Sequence, residues 1–343
     1  MRRSGRLVVL ALTVFLLGAC ARIPAESAGQ PEFRHDFTGP AVPWTDKDFD
    51  NEDGKFTFAV FSDLTGGERE GVFDVAVEQL RLLRPELIMS VGDLIDGGDV
   101  TRAQLEAQWD TFDRRAGHAR APVFHVGGNH DLTSLEEWDV WEQRYGERYY
   151  WFIYKNVLFL VLDTEDNPPD FQDHLNEIRL QAIEVQETEG WEAFHATEYG
   201  QLEERKSGRI GAAQAAFFRK VIGQHPEVRW TFLFMHKPAW ERPDEENFSG
   251  IEAALEGRPY TVFYGHVHSY QHTLRHGRDY IRLGTTGGSH APDNPMAIDQ
   301  VSLVTVSATG VDIANLRMSG IFDKTGRLPL NGDDICLADC GKK

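Results

Sequence analysis

The sequence predicts an α/β fold, and three observations predict it. Short apolar runs at residues 55–61, 87–91 and 122–126 read as strands. Helical patterns at 72–83 and 101–115 alternate with them, which implies parallel pairing through right-handed crossovers. Each run also ends on polar residues: Ser62-Asp63, Gly92-Asp93 and Gly128-Asn129-His130-Asp131. In an α/β sheet, ligands bind at that edge.

In the first helical segment, Val72, Val75, Val77, Leu80 and Leu83 supply the apolar faces, and Pro85 follows its end. Residues 135–145 read as a helix carrying Trp138 and Trp141. Residues 149–154 and 157–162 flank Lys155-Asn156 as a hairpin, and the second strand stops at Asp163. Residues 165–209 break the rhythm. They are rich in Glu and Gln and open on Pro168-Pro169, and read as an inserted, partly helical excursion. It is either a solvated elaboration, with His174 and His195 on the surface, or a lid that selects substrate. Order returns with a helix at 212–222 and a strand at 230–235 that ends at His236. A further strand at 260–264 ends at Gly265-His266-Val267-His268. Residues 271–274 and 280–283 pair around His276-Gly277, and 300–307 with 311–316 close the system. The glycines at 284, 287 and 288 mark a turn, or a place where backbone approaches a ligand closely.

The chain has 343 residues, enough for one large α/β domain. Its formal net charge of −19 argues against a nucleic-acid partner, because such binding depends on phosphate neutralisation. Arg2, Arg3 and Arg6 precede an apolar run at 7–17 that is too short to span a bilayer. Leu17-Gly18-Ala19-Cys20 then resembles a bacterial lipobox. The expectation is a lipoprotein signal peptide at 1–19 and lipidation of Cys20, which anchors the protein at the bacterial cell envelope. Residues 20–54 are a tether and lead-in whose acidic run lacks the features of a calcium loop. Residues 55–320 form the main domain and 321–343 a tail. Cys336 and Cys340 remain as an even pair in an exported protein, a candidate disulfide.

Asp63, Asp93, Asn129, His236, His266 and His268 thus all lie just past strand-like runs. Carboxylates, imidazoles and an amide oxygen make a mixed set suited to Zn, Mn or Fe. Asp93 has two oxygens with which to bridge two cations. Any one of the six also reads as a strand-end cap; six in succession is difficult to credit to turn chemistry alone.

In this order the residues resemble the calcineurin-like metallophosphoesterase superfamily, whose pattern runs D-x-H, G-D-x-x, G-N-H-D/E, H, G-H-x-H. The resemblance covers residues 56–316 and implies a four-layer double β-sandwich flanked by helices. It implies two metal ions, one on Asp63, Asp93 and His268, the other on Asp93, Asn129, His236 and His266. The implied reaction is hydrolysis of a phosphorylated small molecule, a phosphomonoester or phosphodiester, by a metal-activated hydroxide. His130 would be the general acid, with Asp131 positioning its ring. Tyr270, His272 and His290 are candidates to support the ligands from behind. Thr65 stands where the family has a metal-binding His, which makes Thr65 and Asp96 candidate substitutes at that metal. Gly97 replaces the Arg of the protein Ser/Thr phosphatases, and Asp96 the Tyr of the purple acid phosphatases. The alternatives are a surface lipoprotein that keeps the fold for binding, and an envelope structural protein.

Overall fold

The computed structural model describes residues 33–34, 43–46, 49–291 and 293–337. The signal segment, Cys20 and Cys340 lie outside them. The chain divides into two units, Met1–Asp53 and Gly54–Lys343. In the first, Phe33 packs its ring against Trp44 and Phe49.

The second unit runs β1 (Phe56–Phe61), α1 (Val72–Leu83), β2 (Leu87–Ser90), α2 (Arg102–Ala116), β3 (Val123–Phe124) and α3 (Leu135–Tyr145). It continues through β4 (Tyr150–Tyr154), β5 (Val157–Val161), α4 (Pro169–Glu189), α5 (Trp191–Ala196) and α6 (Glu198–Gln201). Then come α7 (Ala212–Gln224), β6 (Trp230–Phe234), α8 (Asn247–Ala254), β7 (Tyr260–Tyr264), β8 (Gln271–Arg275) and β9 (Arg278–Arg282). The last strands are β10 (Gln300–Val306) and β11 (Val311–Arg317). The strands form a five-stranded sheet, β11-β10-β1-β2-β3, and a six-stranded sheet, β4-β5-β6-β7-β9-β8. β1 and β2 pair in parallel, as do β5, β6 and β7.

Period-two alternation assigns the layers. Phe58 and Val60 meet Phe159, Phe232, Phe234 and Phe263 between the sheets. Ala59 and Phe61 face the other way, onto Val72, Phe73, Trp109 and Trp141 of α1–α3. On the far side, Leu158, Leu160, Leu233 and Val262 pack under Phe218, Val221, Phe248 and Ile251 of α7 and α8. The four layers expected from the resemblance are therefore present. α2 and α3 each start at a capping box, Thr101 with Gln104 and Ser134 with Glu137.

Two expectations change. The run at 122–126 contributes only two residues to the ladder, because the Ser90 hydroxyl, not a strand carbonyl, accepts from the Val126 amide at 2.8 Å. And the excursion at 165–209 is more than a solvated elaboration. α4 is 21 residues long, and its Leu175, Ile178 and Ala182 form a small core with Phe194 and Tyr199. The helix α8 had no clear periodic signal. His174 and His195 are exposed, as expected. Cys336 is disulfide-bonded, to a partner outside the described residues.

Candidate metal centre

The parallel strands β1, β2, β6 and β7 deliver Asp63, Asp93, His236, and His266 with His268, to one edge. The turns that hold them are strained. Asp63, Asp93, His266 and His268 all adopt positive φ, at 39°, 56°, 73° and 54°. Left-handed backbone is costly for non-glycine residues, and it persists where the surroundings over-determine it. Here they do: the Asp63 amide donates to the Gly92 carbonyl, those of Leu64 and Thr65 to the Asp93 carbonyl, and those of Thr286 and Gly288 to the Asp63 carbonyl. Two glycines are required by contact. A Cβ at Gly128 would lie 2.3 Å from Asp93 Oδ1, and one at Gly288 would lie 2.6 Å from the Thr65 carbonyl. Gly288 thus serves close approach to protein backbone.

Two groups of side chains have ligand atoms within 4.8 Å of one another: Asp93, His236 and His266, and Asp63, Asp93 and His268. Asp93 belongs to both. Asn129 joins the first, its Oδ1 3.2 Å from His236 Nε2. These are the two sets expected from the sequence. The ring nitrogens show why they fit metal ions. His236 Nδ1 donates to the Val91 carbonyl at 2.9 Å, His266 Nε2 to that of Arg205 at 2.7 Å, and His268 Nδ1 to that of Ser289 at 2.8 Å. Each imidazole spends one N–H on a backbone carbonyl and keeps the other lone pair for the cluster, as metal-binding histidines do.

The electrostatics agree. Burial opposes the charge on Asp93, yet the facing His236 holds its carboxyl well below the usual range. His236 Nε2 lies 3.1 Å from Asp93 Oδ2. Burial works against the imidazolium of His236, but Asp93 raises it to about 9. Burial and the Lys237 charge push His266 well below its ordinary value, so it stays neutral. Asp63 is fully buried, and its Oδ1 accepts from the His266 amide at 3.0 Å. Tightly held carboxylates, a neutral His266 and a His236 whose Nε2 proton a cation would displace make a donor set for divalent or trivalent cations.

Asp131 corrects an expectation. It does not orient the ring of His130. Its Oδ1 accepts from the amides of Leu94 (2.8 Å) and Ile95 (3.1 Å), and its Oδ2 from Gly128 (2.8 Å). It ties the loop after β2, which carries Asp93, to the loop after β3. Burial and the charge of Asp93 push its carboxyl up to about 8. The ring of His130 is set by the Asp96 carbonyl, 3.0 Å from Nδ1. Its Nε2 points the other way, toward Gly66 and the ring of His268.

Thr65 and Asp96 hydrogen-bond to each other, the hydroxyl donating to the carboxylate. Asp96 is outside both ligand groups. Tyr270 accepts from Asn315, His272 pairs with Asp279 in the exposed hairpin, and His290 joins Arg69, Thr285 and Asp299. None of these contacts reaches the six ligands.

The sequence reading missed four participants, the first being the Val91 carbonyl that holds His236. Ser289 and Arg205 act through backbone carbonyls, which carry no residue signature. Arg179 of α4 reaches His130, its Nη2 3.4 Å from Nδ1. Its signal was present: it lies on the same helical face as Gln172, Leu175 and Ala182, where a charge is out of place.

Among solved structures, a dimetal phosphatase from Danio rerio is similar at 16% identity and a TM-score of 0.56, covering 77% of this chain and 96% of that one. A purple acid phosphatase from yellow lupin (Lupinus luteus) seeds is similar at 14% identity and a TM-score of 0.51, covering 78% of this chain and 52% of that one. At such identities the likeness shows the fold alone. No curated protein matches the sequence. The family model described as calcineurin-like phosphoesterase matches residues 56–270. With that match over most of the domain, and with both ligand groups at the sheet edge, the chain belongs to the calcineurin-like phosphoesterases, metal-dependent hydrolases of phosphoric esters.

Proposed function

We propose that this phosphoesterase works at the bacterial cell envelope, held to the membrane through lipidated Cys20, and hydrolyses a small phosphomonoester or phosphodiester. The observation that carries the catalytic part is the sharing of Asp93 between two ligand groups. Asp63, Asp93 and His268 would hold one metal ion, and Asp93, Asn129, His236 and His266 the other. Mn, Fe or Zn suits this donor set. When bound, the ions polarise the phosphoryl oxygens and lower the pKa of water.

The chain's own groups supply the rest. Asp93 shares its charge between the two positions. The carbonyls of Val91, Arg205 and Ser289 fix the three imidazole tautomers. His130 is the general acid for the leaving oxygen. Its Nδ1 donates to the Asp96 carbonyl, so the transferable proton is the one on Nε2 of the imidazolium. Burial and the Arg179 charge oppose that form, and Asp93 favours it. A phosphoryl dianion beside Nε2 favours it further. The excursion contributes the Arg205 carbonyl to His266, and a buried ion pair, Lys237 with Glu165 at 2.9 Å, ties its start to the strand that carries His236.

The envelope assignment rests on Arg2, Arg3 and Arg6, the apolar run at 7–17 and the lipobox-like Leu17-Gly18-Ala19-Cys20. No helix among the described residues is long and apolar enough to cross a membrane. Turnover of a panel of phosphoesters, with Mn, Fe, Zn and Mg compared, tests the catalytic part; no turnover with any metal sinks it. Fractionation and mass of Cys20→Ser test the anchor, and a variant unchanged in both disproves it.

A further inference from the structure

Arg179 has a buried guanidinium, with 5% of the residue exposed. Nη1 has no hydrogen-bond partner. The contact of Nη2 is with His130 Nδ1, which already donates to the Asp96 carbonyl and offers no lone pair. Among the described residues no carboxylate lies within salt-bridge distance of Arg179. The neighbouring acid, Glu137, interacts with the Arg179 charge from beyond salt-bridge distance, but directs its oxygens at the amides of Gly98 (3.0 Å) and Ser134 (2.8 Å), so it accepts no hydrogen bond from the fork. A buried cation in this condition is costly, and removing the cost takes an oxyanion that accepts from the fork. Guanidinium geometry matches a carboxylate or a phosphate in two parallel hydrogen bonds.

The position says where such an anion belongs. The ring of His130 presents Nε2 toward His268 and the metal ligands, and its Nδ1 edge toward Arg179. On the proposed function, the phosphoryl group under attack would lie on the metal-ligand side of that ring, and the leaving oxygen at Nε2. A leaving group that follows the ring to its other edge brings its far end to Arg179.

We propose that Arg179 forms an anion subsite on the leaving-group side, selecting phosphoesters whose leaving group bears its own carboxylate or second phosphate. This rests on the phosphoesterase reading above. It gives the inserted helix α4 a reason to bury a charge on its apolar face, and makes the excursion a determinant of specificity.

The test is calorimetric binding to the Mn-loaded protein of two probes of equal length, phosphonopropionate and propylphosphonate. They share the phosphonate and differ in one carboxylate. The wild type should favour phosphonopropionate by about tenfold or more, the range of a charge-assisted pair. Arg179→Met should bring the ratio to near one. Arg179→Lys, which keeps the charge but loses the fork, should leave a reduced preference. A ratio near one in the wild type, or a preference that survives Arg179→Met, overturns the proposal. Should Arg179→Met not fold, the wild-type ratio and Arg179→Lys still decide, an undiminished preference in the latter counting against the fork. Hydrolysis of nitrophenyl phosphate by the same preparation tests the phosphoesterase reading separately, since the binding ratio needs no turnover.

Discussion

Asp131→Ala removes a carboxylate that accepts from three buried amides, those of Gly128, Leu94 and Ile95. None of these has another acceptor within the loops they join, and Asp131 itself is fully buried. A buried donor left unpaired costs about 1–3 kcal/mol. Three of them, partly relieved by relaxation or water, give a loss of roughly 3–6 kcal/mol. Total stabilities are about 5–15 kcal/mol, so the variant approaches the threshold for folding. Asp131→Asn should cost less, about 2–3 kcal/mol, because its carbonyl still serves Leu94 and Ile95 while its NH2 faces the Gly128 amide. The loops carry Asp93 and Asn129, so metal affinity should fall with stability. Urea unfolding of the Mn-loaded variants measures the first, and equilibrium dialysis the second. The kinetic signature is as important: the remaining kcat of Asp131→Asn should fall by the same factor for good and poor leaving groups. A loss below about 0.5 kcal/mol, together with a kcat defect that grows for poor leaving groups, would refute this account and return Asp131 to positioning the ring of His130.

His130→Ala should lower kcat by roughly 10²–10⁴ with metal content intact, and by less for a nitrophenyl ester; equal losses across leaving groups would contradict the general-acid role. Titration of the metal-free protein with Mn should show two steps, the weaker at Asp63, because Thr65 offers at most a neutral hydroxyl where the family has an imidazole, and Asp96 hydrogen-bonds to that hydroxyl outside both ligand groups. Thr65→His should tighten that step and Asp96→Ala leave it in place; two equally tight sites, unmoved by Thr65→His, would count against it. Burial, opposed by Arg148, raises the carboxyl of Asp163 from 3.8 to about 7. The unfolded chain therefore ionises first, and the wild type loses stability relative to Asp163→Asn as pH rises from about 4 to about 7. A stability difference that is flat over that window in thermal melts would show that Asp163 does not titrate there.

The covalent order of the sequence determined the ligand set. A strand must end somewhere and its last residues are contiguous with it; parallel pairing puts the ends of β1, β2 and β3, with Asp63, Asp93 and Asn129, on one edge of their sheet, and those of β6 and β7, with His236, His266 and His268, on one edge of the other, while the meeting of the two edges is tertiary. The layers were implied by the family resemblance, and the structure shows how they arise: period-two alternation gives each of β1, β5 and β6 one face toward the other sheet and one toward helices. What only the tertiary structure decided are relations between segments far apart in the chain. Asp131 sits next to His130 in sequence, but a turn sends its carboxylate to Leu94 and Ile95, while the ring finds the Asp96 carbonyl. The tautomers of His236, His266 and His268 are set by carbonyls of Val91, Arg205 and Ser289, groups that every residue possesses and no sequence pattern marks. Arg179 is the sharpest case. In sequence it is a charge on the helical face of Leu175 and Ala182, which marks it as out of place; that this face of α4 packs inward and sets the guanidinium beside His130 is shown only by the structure.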